Sequence, residues 1–213
     1  GLGWSSICWA GGEALRRDYR NSEYPLDPLY GLALLTIWTT TTGSYRDVVN
    51  RAQMNLLDSH DVPRALHSLN NDLAALKLAL LLLFLHPGAP CIYYGTEAAL
   101  AGGPEPGPSG GPGPACREAY PWDAPWTADL RPFIQCLTEL RCAHRVLRRD
   151  GLQWSAQGAD VLEGVADGLR VVINRSRSNS VPLTIEQGRS CVWTLGTVDS
   201  RAVGPQSAAV LGS

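Results

Sequence analysis

Lysine is almost missing from this chain: Lys77 is the only one in 213 residues, so arginine carries nearly all of the positive charge. Methionine occurs once and phenylalanine twice, which leaves leucine, alanine and valine to build a core. Charged residues reach only 18% and the formal net charge is -2. A protein that grips nucleic acid through its phosphates shows a basic stripe. None is present here, so no nucleic-acid partner is expected. Long apolar runs are also absent. The longest, residues 78–85, is far short of the roughly 20 residues that span a bilayer, so it reads as a buried helix and no membrane partner is expected. The six cysteines show neither a C-x-x-C pair nor zinc-type spacing, and no carboxylate cluster has the dense oxygen pattern of a calcium loop. No metal and no cofactor are therefore expected. An even cysteine count permits disulfides, but free thiols in a reducing compartment, the cytoplasm, are the preferred reading.

What is present is a soluble globular composition, 45% hydrophobic, in a chain long enough to bury a large core. Two units stand out. Leu56-Leu57 leads into Asp58-Ser59-His60-Asp61-Val62-Pro63-Arg64, and Cys91-Ile92-Tyr93-Tyr94 leads into Gly95-Thr96-Glu97. Each reads as a buried strand, over 56–59 and 91–94, opening into a polar loop. The leucine-rich segment 73–85 lies between them, capped by Asn70-Asn71-Asp72 and stopped before Pro87-Gly88. Strand, helix, strand with polar residues at the strand ends predicts an α/β barrel.

Other elements are expected around this core: a strand within 15–24, helices over 29–37 and 44–53, and a loop over 102–114 rich in glycine and proline. A helix over 130–149 would turn Phe133, Leu137, Leu140 and His144 or Val146 inward. After Gly151 the period falls to two, with strands expected over 160–165, 169–174, 181–185, 190–195 and 208–211 and a hairpin turn at Asp167-Gly168. The fold class is thus α/β, the C-terminal part of a (β/α)8 barrel (about its last three strands) in residues 1–150, then a small antiparallel β-sandwich in 151–213.

Asp61 and His60 form the strongest candidate site. Ligands bind at the C-terminal ends of barrel strands, and a carboxylate beside an imidazole offers the acceptor and donor that a polyol needs. The competing reading is a strand-end cap with a solvated aspartate.

In the order of its motifs the chain resembles the α-amylase family of glycoside hydrolases, in its cyclomaltodextrinase, neopullulanase and maltogenic-amylase branch. The motifs are Leu57-Asp58-Ser59-His60-Asp61 with Arg64, then Pro90-Cys91-Ile92-Tyr93-Tyr94-Gly95-Thr96-Glu97, Gly102-Gly103-Pro104-Glu105-Pro106, Cys116-Arg117 and Pro121-Trp122-Asp123. They look like the seventh and eighth barrel strands with their loops. Ala208-Ala209-Val210-Leu211 looks like the last strand of the family's C-terminal domain.

The resemblance implies a glycosidase that cleaves α-glucosidic bonds of maltooligosaccharides, cyclodextrins or pullulan with retention, its partner an α-glucan oligosaccharide. Asp61 is then a catalytic carboxylate, not the nucleophile, that grips sugar hydroxyls and favours the oxocarbenium-like ring. His60, Arg64, Tyr94, Glu97 and Arg117 are the implied substrate-binding residues. Arg117 has two open readings, a sugar hydroxyl or an ion pair with Glu118, and Trp122 is either a stacking face or packing. Thr96 stands where an aspartate is usual, and the insert 107–115 departs from the family's compact loop.

Retaining glycosidases need a nucleophile and an acid/base carboxyl about 5–5.5 Å apart. The resemblance puts the nucleophile before Gly1. At the acid/base position stands Leu2, which cannot donate a proton, with Glu13 and Glu23 the nearest carboxyls. The chain is accordingly expected to be the C-terminal part of a longer glycosidase, or a degenerate relative that binds sugar without cleaving it, and to hydrolyse nothing by itself.

Overall fold

The computed structural model describes residues 46–61, 63–102, 114–123, 125–149, 151–158 and 160–213. The expected strand within 15–24, the helix over 29–37, Leu2, Glu13, Glu23, Val62, most of the 107–115 insert and the start of the helix over 44–53 lie outside them.

The first described elements are helix α1 (Asp47–Ala52), strand β1 (Met54–Asn55) and a one-turn helix α2 (Ala65–Ser68). Helix α3 (Leu73–Leu85) follows and leads to strand β2 (Ala89–Pro90). Asp72 starts α3: its carboxylate accepts from the Ala74 and Ala75 amides at 3.0 Å, satisfying two of the orphan donors of the first turn. Leucine and alanine then fill the helix on nearly all sides, which suits a helix buried all round. Leu76, Leu80, Leu81 and Leu85 have no exposed surface. Burying a leucine side chain is worth about 1.5–3 kcal/mol, so α3 is the axis of the core.

His86 ends the helix because Pro87 follows. A residue before proline is pushed out of the α region, and His86 has φ -76° and ψ 143°. Gly88 then adopts φ +97°, and a Cβ there would stand 2.6 Å from the Gln53 carbonyl. Only glycine lets the chain pass this close to the start of β1.

β1 and β2 pair in parallel, Met54 opposite Ala89 and Asn55 opposite Pro90. The expected strands at 56–59 and 91–94 are corrected by two residues. The ladder ends where the Cys91 amide donates to the Asn55 carbonyl at 2.7 Å. Beyond it, side chains rather than backbone groups join the two segments.

The expected helix over 130–149 is two helices, α4 (Arg131–Ala143) and α5 (Arg145–Arg149), broken at His144. Leu137 and Leu140 face inward as expected. Arg141 does so too, only 7% exposed. Its guanidinium donates to the carbonyls of Phe84 at 2.5 Å, His86 at 2.9 Å and Gly88. These are the orphan acceptors left where α3 stops, so a cation on the neighbouring helix caps α3.

His86 sits beside this cap, 1% exposed, with Nδ1 3.1 Å from the Asn55 amide nitrogen and 2.6 Å from the Pro87 carbonyl oxygen. Burial pushes its pKa down from 6.5 to about 4; the Pro87 carbonyl opposes this and the Arg141 charge adds to it. Between those values the unfolded chain binds a proton that the folded chain does not. Stability therefore rises with pH across this window and falls as the solution is acidified from about 6.5 to 4. The expected loss from His86 is about 3 kcal/mol. Urea midpoints at both pH values check it, and His86→Gln should flatten that part of the profile.

The C-terminal region holds β3 (Gln153–Gln157), β4 (Val161–Ala166), β5 (Leu169–Asn174), β6 (Val181–Pro182), β7 (Ser190–Leu195), β8 (Ala202–Val203) and β9 (Ser207–Gly212). Five of them form one antiparallel sheet in the order β3-β4-β5-β9-β7, and β6 pairs with β8. The five-stranded sheet has unlike covers, helices on one face and the two-stranded β6–β8 sheet on the other. Leu169, Val171, Ile173, Ala208 and Val210 join α3 and α4 in a single apolar cluster. Val172, Ala209 and Leu211, one residue out of phase, pack with Leu183 and Val203 of the β6–β8 side. β5 and β9 alternate between two buried faces, so the stretches 171–173 and 208–211 are apolar at every position.

A polar tie adds to this contact: Asp72 Oδ2 accepts from Gln206 Nε2 at 2.7 Å and faces Arg177 Nη2 at 3.4 Å. Among the described residues no helix is long and apolar enough to cross a membrane.

Candidate functional site

The parallel ladder of β1 and β2 brings the two polar loops together at its C-terminal end. Asp58, 2% exposed, is the central tie. One of its oxygens accepts from the Ala65 amide at 3.0 Å, and both lie within 3.1 Å of the Thr96 hydroxyl. Burial raises the pKa of this carboxyl, while the Ala65 amide, the Thr96 hydroxyl and the Arg64 charge pull it back. The threonine that departs from the family pattern therefore supplies the donor that holds a buried carboxylate.

Arg64 makes the second tie. It has no exposed surface, and its guanidinium lies 4.5 Å from the Tyr93 ring centroid and 4.7 Å from that of Tyr94. Nη1 donates to the Tyr94 carbonyl at 2.5 Å. Among the described residues Nε and Nη2 have no hydrogen-bond acceptor, and the two π-faces with the Asp58 charge supply the compensating electrostatics. A fully buried guanidinium clamps the loop against the β2 segment, a position that does not support the expected substrate contact by Arg64.

Between these two ties the chain carries His60 and Asp61 outward. Asp61 has 47% of its side chain exposed. Oδ2 lies 3.1 Å from His60 Nε2, and Oδ1 accepts from Arg117 Nη2 at 3.2 Å. The partner of Arg117 is therefore Asp61, from a segment 56 residues away, and not the adjacent Glu118. Pairs this exposed contribute little stability, typically under about 1 kcal/mol. Their effect is orientation: an imidazole and a guanidinium flank a solvent-facing carboxylate.

Tyr94 borders the same opening, 39% exposed, and its hydroxyl donates to the Glu118 carbonyl at 2.7 Å. Tyr93 stands edge-on to it at 4.6 Å, with its own hydroxyl on the Cys116 carbonyl and its pKa raised to about 12 by burial and by Tyr94. The two tyrosines thereby fasten the short 3-10 turn (Pro114–Arg117) that presents Arg117.

Glu97 is not part of this group. Its backbone carbonyl accepts from the Leu130 amide at 2.8 Å, and its carboxylate lies toward Tyr120 and Arg131. Substrate contact by Glu97 is therefore not supported by its position. The local reason is the turn at Gly95, whose φ of +86° swings the following residues behind the strand tip. Among the described residues no three His, Cys, Asp or Glu gather as metal ligands, and the five cysteines among them are free thiols.

Sequence reasoning missed the Asp58–Thr96 tie and the Asp61–Arg117 pair. The signal for the first was a carboxylate inside the apolar run before the loop. The second has no sequence signal, because it depends on how the 114–117 turn is seated.

Chemically, the site offers one open acceptor carboxylate between two donors, beside an exposed aromatic ring. That set suits neighbouring hydroxyls on a sugar. A family model described as "Alpha amylase, catalytic domain" matches residues 16–159. The chain is 36% identical over 141 residues to a cyclomaltodextrinase from a Bacillus species, covering 63% of this chain and 24% of that protein. It is 35% identical over 108 residues to an intracellular maltogenic amylase of Bacillus subtilis, covering 50% and 17%. Among solved structures it resembles a cyclic alpha-maltosyl-(1→6)-maltose hydrolase from Arthrobacter globiformis, with TM-score 0.66, 26% identity and coverage of 86% of this chain and 40% of that one. The chain thus spans a quarter or less of these curated relatives.

Proposed function

The chain belongs to the α-amylase family, and from that premise we propose that the whole protein hydrolyses α-glucosidic bonds of maltooligosaccharides, cyclodextrins or pullulan with net retention. In this reading β1 and β2 are the seventh and eighth strands of the family's (β/α)8 barrel, within 1–150. Residues 151–213 are its C-terminal β-domain, sharing an apolar cluster with α3 and α4.

The observation that carries the proposal is Asp61. A half-exposed carboxylate stands at the C-terminal end of a parallel strand pair, with His60 Nε2 and Arg117 Nη2 at 3.1 and 3.2 Å. It grips two hydroxyls of the ring being cleaved, and the grip tightens as that ring flattens and gains positive charge. His60 and Arg117 hold the carboxylate aimed and offer donors to the same sugar; the exposed face of Tyr94 packs on it. Arg64, Asp58 and Thr96 keep the loop in register without touching sugar. The nucleophile and the acid/base lie outside the described residues.

The named relative from Bacillus subtilis is intracellular, and with free thiols here this supports a cytoplasmic location. The test of function is Asp61→Asn in a protein carrying the complete barrel, read as reducing-sugar release.

A further inference from the structure

Of all large hydrophobic side chains among the described residues, Trp122 is the most exposed, at 81%. Leaving an indole in water forgoes a large burial gain, and an exposed apolar surface in a polar rim marks a binding surface. Its ring is held in place. Tyr120 packs against it with ring centroids 4.5 Å apart and planes tilted by 46°, and the Trp122 amide donates to the Tyr120 carbonyl at 2.9 Å. Tyr120 rests in turn edge-on against Trp126 at 5.7 Å. Trp126 is pinned by its indole N–H to the Pro121 carbonyl at 3.2 Å and by Arg131 over its face at 4.3 Å. The indole is thus a supported platform on a closed loop rather than a loose surface residue. Asp123, also exposed, places a hydroxyl acceptor next to it.

The platform follows the Asp61 site along the chain. Arg117 meets Asp61, Tyr94 binds the Glu118 carbonyl, and Trp122 stands five residues beyond Arg117 on the same strip of chain. Five residues reach at most about 17 Å, within the length of a short glucan.

We propose that Trp122, backed by Tyr120 and Trp126 and flanked by Asp123, is a separate sugar-stacking subsite that holds the chain of a longer α-glucan running away from Asp61. The inference rests on the reading of Asp61 as a sugar-binding carboxylate. A glucose ring has one apolar face of C–H groups and a rim of hydroxyls. The indole covers the first and Asp123 accepts from the second.

The test titrates the 213-residue chain with maltotriose and with maltoheptaose, following the Trp122 indole N–H by NMR and affinity by calorimetry. Trp122→Phe assigns the resonance. The Trp122→Ala side chain leaves little packing behind, and circular dichroism checks that its fold persists. The expected result is a saturable shift of the Trp122 signal with maltoheptaose. In Trp122→Ala, maltoheptaose should bind about tenfold more weakly, with maltotriose changed less than twofold. An unmoved Trp122 signal at saturating maltoheptaose, or no binding at all, overturns the proposal. If Trp122 responds but Asp61→Asn binds maltotriose like the wild type, the platform stands and the Asp61 reading fails. If Asp61→Asn weakens maltotriose while Trp122 stays silent, the reverse holds.

Discussion

On the proposed function, Asp61→Asn is expected to lower turnover of a protein carrying the complete barrel by at least about a hundredfold, with the fold intact. The change exchanges one carboxylate oxygen for an amide nitrogen and removes the negative charge. An amide nitrogen turned toward Arg117 Nη2 sets a donor against a donor about 3 Å away, and one turned toward His60 Nε2 requires the imidazole to present that nitrogen as an acceptor. The sugar loses its acceptor where positive charge develops. An interaction that strengthens toward the transition state affects kcat more than KM, and several kcal/mol lost at 1.36 kcal/mol per factor of ten gives two or more orders of magnitude. The melting temperature should hardly move, because an ion pair this exposed carries little stability. Turnover within a few-fold of the wild type would remove Asp61 from the chemistry.

Arg141→Ala is expected to cost about 3–5 kcal/mol of stability. The substitution leaves three carbonyls at the end of α3 without their donor, in a region where Arg141 itself is only 7% exposed. Among the described residues no carboxylate pairs with it, and three backbone carbonyls hold the cation. Its pKa is lowered by that burial and by Arg148. Arg141→Lys should recover only part of the loss, because a single ammonium cannot span acceptors on Phe84, His86 and Gly88. Denaturant midpoints of the two variants measure this, and a change under about 0.5 kcal/mol in Arg141→Ala would show that the cap is dispensable.

Much of this architecture was legible in the residues. Helix α3 emerged at its observed bounds because leucine, alanine and the Asp72 cap all favour the same state. The strands at 169–174 and 190–195 emerged because their β-branched and aromatic residues lie between clear turns. The parallel strand pair was legible in kind but displaced by two residues. The apolar run continues past the last ladder bond, and hydrophobicity alone does not mark where backbone pairing stops.

What stayed hidden was the pairing of distant polar groups. Arg141 lies four residues after Leu137 on one helix face, a position that reads as polar until α3 is seen to end beneath it. Arg64 stands in a loop where arginine is normally solvated, and its burial follows from two tyrosines in the segment after β2. The tie from Asp58 to Thr96 spans 38 positions, and that from Arg117 to Asp61 spans 56. Such contacts are properties of the packed tertiary structure. The two-sided burial of β5 and β9 is legible in their consecutive apolar residues, but only packing shows that the β6–β8 sheet covers one face and helices the other.

The measurement closest to the central claim is calorimetric titration of this chain with maltotriose, wild type beside Asp61→Asn. Saturable binding by the wild type, weakened at least tenfold by the substitution with an unchanged circular dichroism spectrum, is the predicted result. Equal affinity in the two proteins, or no binding by the wild type, would contradict a sugar-gripping carboxylate at this strand tip.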